Sequence, residues 1–165
     1  MEWLLLQLCM YYEEFMNTKK KDTFIYEDLG FPILLINVPM RKVFGEWVLD
    51  INFNQLQRTA LLMLAKKTTP LSGKEIRFIR HYLNISTHKF GEILGVTHVA
   101  VLNWESEEKK MNAGTELILR LYILNQLKVT DKEFRHTYAQ FNPKIIATRC
   151  IENIPLEIDA EKIAC

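Results

Sequence analysis

The side chains best placed for chemistry in this chain lie close together, and the chemistry open to them is hydrogen bonding. A short predicted helix leaves five side chains on its outward positions, namely Thr97, His98, Val99, Leu102 and Asn103. An Asn amide can bond adenine with both of its polar atoms, a His can donate to guanine, and a Val can contact the methyl group of thymine. These five residues are therefore the predicted contacts to DNA bases.

Two short predicted helices, joined by a tight turn, position these residues. Ser86 is the candidate N-cap of the first helix, and its apolar face consists of Phe90, Ile93 and Leu94. The helix should stop at Gly95, because glycine adopts a left-handed conformation at little cost. Gly91 faces the second helix, where a close crossing needs a small residue. Thr97 caps the second helix, and its inward positions are Ala100, Val101 and Trp104.

A further helix is predicted just before this pair. Ser72 precedes Glu75 by three residues, a spacing typical of a capping box in which each residue bonds the backbone of the other. Ile76 and Ile79 then form the buried side of the helix. Three basic residues are predicted to face outward: Arg77, Arg80 and His81.

The run SerThrHisLysPheGlyGluIleLeuGlyVal, followed by ThrHisValAlaValLeuAsnTrpGlu, resembles the helix-turn-helix of the Xre/Cro phage-repressor superfamily. In that family the second helix enters the major groove and reads bases, while flanking residues touch phosphates. The resemblance implies a transcriptional regulator. It also implies phosphate contacts by Ser86, Thr87, Lys89, Lys109 and Lys110.

Composition argues against non-specific coating of nucleic acid. The 165 residues include 21 Lys and Arg against 20 acidic side chains, and the segment 71–127 contains 7 basic and 6 acidic residues. A protein that binds DNA only through its overall charge would be strongly basic. Any DNA site must therefore be a local patch.

Neither a metal site nor an enzyme is predicted. The three cysteines, Cys9, Cys150 and Cys165, are far apart and form no CysXaaXaaCys pair, which is typical of isolated thiols in a reducing cytoplasm. The four histidines are not accompanied by a nucleophile motif, a glycine-rich phosphate loop or a metal-spaced cluster. We expect no catalytic residue, no metal and no cofactor.

The N-terminal segment 1–22 is predicted to hold an apolar helix followed by a basic arm at Lys19, Lys20 and Lys21. It lacks the positive start of a secretory signal and the length of a membrane-spanning helix, so we expect no membrane association. The helix would pack on the body or on a second subunit. Alternatively, Met16 is the natural start, and the arm is then either solvated or lies along DNA.

The rest of the chain divides into three predicted parts. Residues 23–67 form a small β-rich region with a connecting helix from Phe53, residues 68–142 form the Xre-like domain, and residues 143–165 form a strand-like tail. The expected fold class is α+β, mainly α: a C-terminal five-helix domain with a small N-terminal β region. The tail either adds a strand to that region or pairs with a second subunit.

This arrangement is similar to the MqsA-type (YgiT-like) antitoxins of toxin–antitoxin operons. In that family the N-terminal region binds the toxin, while the C-terminal domain dimerises and represses the operon. The stretch ValProMetArgLysValPheGlyGluTrp falls where the family normally has a CysXaaXaaCysGly zinc pair, but the cysteines are absent here, and no zinc is expected.

Two functional hypotheses follow. The first is a cytoplasmic, dimeric repressor, an antitoxin of the type II class, which reads a palindromic operator in double-stranded DNA and has a toxin protein as partner. In a homodimer, the long apolar helix from Asn112 to Leu127 would be shared between subunits or would serve the internal core. The second hypothesis is a protein-interaction module, in which the helix-turn-helix is a scaffold and the β-rich region sequesters a partner.

Overall fold

The longest strand, β2 (Ile33–Val43), is the centre of a four-stranded mixed sheet in a computed structural model that describes residues 18–140 and 154–164. β1 (Thr18–Tyr26) pairs with one edge of β2 in antiparallel fashion, with Thr23 opposite Ile36. The other edge of β2 carries two short strands, the antiparallel β3 (Glu46–Leu49) and the parallel β4 (Leu156–Asp159). Chain segments more than 100 residues apart therefore meet on β2.

The core-facing positions of β2 shift from odd-numbered to even-numbered residues part of the way along the strand. Ile33 and Leu35 are fully buried before the change, and Val38 and Met40 are buried after it. Between them, Asn37 has a left-handed φ of 53°, which breaks the alternation of sides that a regular strand imposes. Both halves of the strand can therefore contribute side chains to the core.

Six helices lie within the described residues. They are α1 (Phe53–Lys66), α2 (Gly73–Tyr82), α3 (Thr87–Leu94), α4 (His98–Glu105), α5 (Ala113–Gln126) and α6 (Asp131–Gln140). A short 3-10 turn at Ala160–Ile163 follows β4. The predicted capping box is confirmed, since the Ser72 hydroxyl accepts from the Glu75 amide and the Glu75 carboxylate accepts from the Ser72 amide.

The fold class expected from the sequence is wrong. The described residues form six helices and a four-stranded sheet, and the side chains of sheet and helices form one hydrophobic core. That core joins Ile33 and Leu35 of β2 to Leu61 of α1 and to Leu119 and Ile123 of α5. A small β region attached to a separate five-helix domain cannot describe this arrangement, because α1 packs against both α5 and β4.

The tail takes the first of the two predicted alternatives where it is described, because Leu156–Asp159 pairs with β2. Thr130, followed by AspLysGlu, is a typical N-cap that predicts the start of α6, and this is confirmed because the Thr130 hydroxyl accepts from the Glu133 amide. The spacing of Phe134, Tyr138 and Phe141 predicts that all three are buried on this helix, and this is wrong for Tyr138, which is 55% exposed. The predicted N-terminal helix, Phe141, Pro143 and the cysteines lie outside the described residues. Lys19, Lys20 and Lys21 belong to β1.

Two properties of the described residues bear on function. No helix among them has the length and apolar character needed to cross a bilayer. Nor do these residues contain a group of three or more His, Cys, Asp or Glu side chains that could hold a metal ion.

Candidate nucleic-acid interface

The turn between α3 and α4 is built by local hydrogen bonds. The Ser86 hydroxyl accepts from the Lys89 amide at 3.2 Å, and the Thr97 hydroxyl accepts from the Ala100 amide at 3.2 Å. α3 ends at Gly95, which has a φ of 68°, and the Val96 amide donates to the Gly91 carbonyl at 2.9 Å. The two helices are thus joined by a tight turn with both N-termini capped, as predicted.

Gly91 sets how closely the two helices approach. A Cβ atom at this position would lie 2.7 Å from the Val96 carbonyl oxygen and 3.3 Å from the His98 amide nitrogen. The first of these distances is shorter than real Cβ contacts, so only glycine fits without a shift of the backbone. The prediction that Gly91 faces the second helix is confirmed.

α4 presents an apolar inner side and a mixed outer side. Val101 and Trp104 are buried, while Val99 and Leu102 are 51% and 47% exposed. Thr97 is exposed, and His98 and Asn103 are half-buried. The five predicted base-contact residues therefore share the outward-facing side and the start of α4. Ala100 was predicted to be inward and is half-buried.

The imidazole ring of His98 stacks on the ring of His88, which projects from α3. The ring centroids are 4.0 Å apart, and the ring planes differ by 21°. Stacking covers one face of the His98 ring but does not cover the two nitrogen atoms, which lie at the edge of the ring. His98 can therefore still present a nitrogen to a base, with its ring orientation held by His88.

The predicted phosphate-contact residues lie at two places around α4. Ser86, Thr87 and Lys89 lie at the start of α3, where the Lys89 ammonium pairs with the Glu92 carboxylate at 3.0 Å. Lys109 and Lys110 are exposed in the loop after α4, and the Lys109 amide donates to the Asn103 carbonyl at 3.1 Å. The loop thus folds back on the C-terminal end of α4. Ser86 is exposed, and Thr87 is half-buried.

An ion pair that the sequence analysis missed holds α4 against α2. The Arg80 guanidinium donates to both carboxylate oxygens of Glu105, at 2.6 and 3.0 Å, and these side chains are only 12% and 7% exposed. Arg80 also donates to the Ile85 carbonyl at 3.2 Å. The prediction that Arg80 faces outward is therefore wrong. Helical spacing puts Arg80 at the edge of the apolar stripe, and only the position of Glu105 draws it inward.

The start of α2 provides a second attachment to α4. The Gly73 amide donates to a Glu107 carboxylate oxygen at 3.1 Å, and a Cβ on Gly73 would lie 2.5 Å from the Trp104 carbonyl oxygen. α2 therefore touches the C-terminal end of α4 with its backbone. Together with the Arg80–Glu105 pair, this contact fixes the direction in which α4 projects.

Ion pairing changes the effective charge of the segment 71–127. Seven basic residues nearly balance six acidic residues, but Glu75, Glu92, Glu105 and Glu116 each pair with a cation. Three of those cations, Lys89, Arg80 and Arg120, belong to the segment, and the fourth is Lys67. The remaining basic residues are Lys74, Arg77, Lys109 and Lys110, against Glu107 and Glu108. The side chains left outside these pairs are thus more basic than the composition suggests.

A scan against protein-family models, a search of curated proteins and a search of solved structures each return no match to this chain. The Xre-like helix-turn-helix and the similarity to MqsA-type antitoxins therefore stay predictions from the residues quoted above. The geometry of α2, α3 and α4 stands on its own measurements.

Proposed function

We propose that this protein is a sequence-specific DNA-binding regulator that acts as a repressor. One observation carries the proposal: a capped α4 is held by α3 and by the Arg80–Glu105 pair, while its outer side is left open. Thr97, Val99 and Leu102 are exposed there, beside His98 and Asn103. A rigid helix with hydrogen-bonding and methyl-bearing side chains on its open side suits the major groove.

In this proposal the protein binds as a homodimer to a palindromic operator. Two recognition helices must lie about 34 Å apart to enter successive major grooves of one DNA face. α5 is the candidate dimer helix, because Ile118 on its surface is half exposed while the next residue, Leu119, is buried in the core. A regulator of this kind works in the cytoplasm, where it meets chromosomal DNA. The similarity to MqsA-type antitoxins supports a neighbouring toxin as partner.

A second candidate function is a protein-interaction module that uses the helix-turn-helix as scaffold. Two observations favour it. The overall charge is close to neutral, and the most exposed residues of α4 are the apolar Val99 and Leu102. Such residues also suit a protein surface. The β-rich part of the chain would then sequester a partner protein.

Titration against DNA separates the two candidates. Purified protein is titrated with its own promoter region and with random DNA of equal length, at two salt concentrations. For a specific regulator, we expect a preference for the promoter of roughly 1,000-fold or more. Weak, salt-sensitive binding to both DNAs without preference would contradict the proposal and favour the interaction module. The neighbouring gene product would then be tested as a partner.

Asn103→Ala should weaken promoter binding by about 1–3 kcal/mol and leave random DNA almost unaffected, because it removes a contact to base edges. Lys110→Ala should instead weaken both DNAs alike and lower the salt slope by about one. Asn54→Ala, an exposed position on α1, is the matched control for the first substitution. Equal losses on promoter and random DNA for Asn103→Ala would refute the base-reading role.

A further inference from the structure

A cavity lies on the surface of α2, and its lining includes none of the residues assigned to DNA. Its volume is about 530 Å³, and the β1–β2 turn, α1 and α2 form its walls. Small-molecule sites in proteins typically have volumes of roughly 300–1,000 Å³. The cavity is therefore large enough for a compact metabolite.

One wall of the cavity is basic. Lys74, Arg77 and His81 line it from α2, and their spacing of three and four residues puts them on one side of the helix. Lys74 and Arg77 are exposed and make no ion pair with any residue in the part of the chain that the structure describes. Asp28, in the β1–β2 turn, is the carboxylate on the lining. A ligand that fits this charge distribution is an anion.

The other residues that line the cavity indicate the chemical class of the ligand. Phe78 and Tyr82 also face the cavity, and their ring centroids are 6.1 Å apart. A guanidinium fork beside an ammonium group is the usual partner of phosphate oxygens. Aromatic side chains contact planar rings, and the Asp28 carboxylate can accept from an amine or hydroxyl group. We propose that this cavity binds a small phosphate ester carrying a planar ring, the class that includes the nucleoside monophosphates.

The cavity is connected to α4 by a short hydrogen-bond chain. His81 Nε2 lies 3.2 Å from Arg80 Nη2, and because a guanidinium only donates, the imidazole nitrogen is the acceptor. The same guanidinium group holds the Glu105 carboxylate at the end of α4. A phosphate that draws His81 toward itself removes one of the contacts that orient Arg80. Through this chain the ligand modulates DNA binding, and this second part of the inference rests on the proposed function.

Calorimetric titration without DNA tests the binding site directly. The probes are AMP, GMP, CMP, UMP and inorganic phosphate, at constant ionic strength. At least one nucleotide should bind saturably and at least tenfold more tightly than inorganic phosphate, because only the nucleotides contact the aromatic residues. The double variant Lys74→Gln/Arg77→Gln should weaken that binding at least tenfold.

The matched control is Lys132→Gln/Arg135→Gln on α6, which removes the same two charges at the same spacing from an exposed helix. This control should bind the nucleotide like the natural protein. Tyr82→Leu should weaken nucleotide binding and leave inorganic phosphate unchanged. Thermal unfolding of each variant shows whether the fold is kept. If none of the nucleotides binds, or if both double variants weaken binding equally, the inference is overturned.

The phosphates of the DNA backbone are a second ligand that would bind Lys74 and Arg77. DNA titrations of the double variant distinguish DNA from a free nucleotide. If Lys74→Gln/Arg77→Gln lowers the salt slope for random DNA by about two while no free nucleotide binds, the cations contact DNA and the small-molecule site is refuted. If a nucleotide binds but the protein shows no preference for the promoter, the ligand site is supported and the proposed regulator is refuted. If a nucleotide binds and the promoter is also preferred, bound nucleotide should change the affinity for the promoter. His81→Phe should abolish that change.

Discussion

Gly91 lies where the backbones of α3 and of the turn before α4 come closest. Gly91→Ala would bring a methyl group to 2.7 Å from the Val96 carbonyl oxygen, which is backbone and cannot rotate away. Overpacking of this kind costs about 1–3 kcal/mol. We therefore expect a fall of that size in the free energy of unfolding, measured by urea titration.

Gly114→Ala is the control for this residue-scale prediction. Gly114 lies within α5, and the nearest atom to a Cβ there is the Asn112 side-chain oxygen, at 3.4 Å. Alanine is the better helix former, so this variant should be neutral or up to about 1 kcal/mol more stable. If both substitutions change stability equally, Gly91 does not set the approach of α3 and α4.

At the residue scale, caps and glycines were predictable, and ion pairs were not. Ser72, Ser86, Thr97 and Gly95 all act as their spacing predicts, because a cap joins residues only a few positions apart. Arg80 was predicted to face outward, yet its partner Glu105 lies 25 residues further along the chain. No local pattern indicates a partner at that distance.

α1 and α5 each supply an arginine to the carboxyl end of the other helix. Arg120 of α5 is fully buried and donates to the carbonyl groups of Leu64 and Thr69, at 3.0 and 2.8 Å, and also to the Lys67 carbonyl and the Glu116 carboxylate. The last carbonyl groups of a helix have no partner within it. Arg120 therefore satisfies the end of α1.

Arg120→Ala should lower the free energy of unfolding by about 3–5 kcal/mol, because it leaves the buried Glu116 carboxylate without its cation and the carbonyl groups without a donor. The control is Arg58→Ala: Arg58 of α1 is exposed and donates to the Leu127 carbonyl at the end of α5, at 3.1 Å. That variant should lose only about 1 kcal/mol. Equal small losses in denaturant titrations would show that Arg120 does not hold the two helices together.

The start of α6 should be sensitive to acid. The Thr130 amide and hydroxyl donate to Glu133, with Lys66 nearby, and these contacts hold the pKa of the Glu133 carboxyl below its ordinary value. Its contribution to the helix is therefore complete at neutral pH and is lost as pH falls below roughly 4.3 and through the lowered pKa. Chemical shifts of the α6 amides should follow this loss.

Glu133→Gln should remove that acid-dependent change in α6, whereas Glu108→Gln, in the loop after α4, should leave it intact. An identical acid response of the α6 amides in the natural protein and in Glu133→Gln would contradict the assignment. At this scale the element itself was well predicted, because its cap and acidic first turn are local features.

At the scale of the whole molecule, the described sheet and helices share one hydrophobic core, so a destabilising substitution in the sheet should also destabilise the helices. Ile158 of β4 is buried and belongs to the same core as Leu119 of α5. Ile158→Ala should cost about 2–5 kcal/mol. Because the core is shared, hydrogen exchange should show lower protection in α5 as well as in β2.

Ile154→Ala is the comparison at this scale, since Ile154 is 67% exposed and its loss should cost no more than about 0.5 kcal/mol. Loss of protection confined to the sheet in Ile158→Ala, with α5 unchanged, would mean that sheet and helices unfold independently. That result would contradict the single core.

The sequence by itself determined the local features of this protein: helix boundaries, caps, the glycine turn after α3 and the outward residues of α4. Each depends on residues three or four positions apart, where spacing and side-chain type decide the contact. The tertiary structure decided the rest. It joined β4 to β2, packed α1 against both the sheet and α5, and paired Arg80 with Glu105. These contacts depend on which buried surfaces pack together, and that is settled by the whole core rather than by any local pattern.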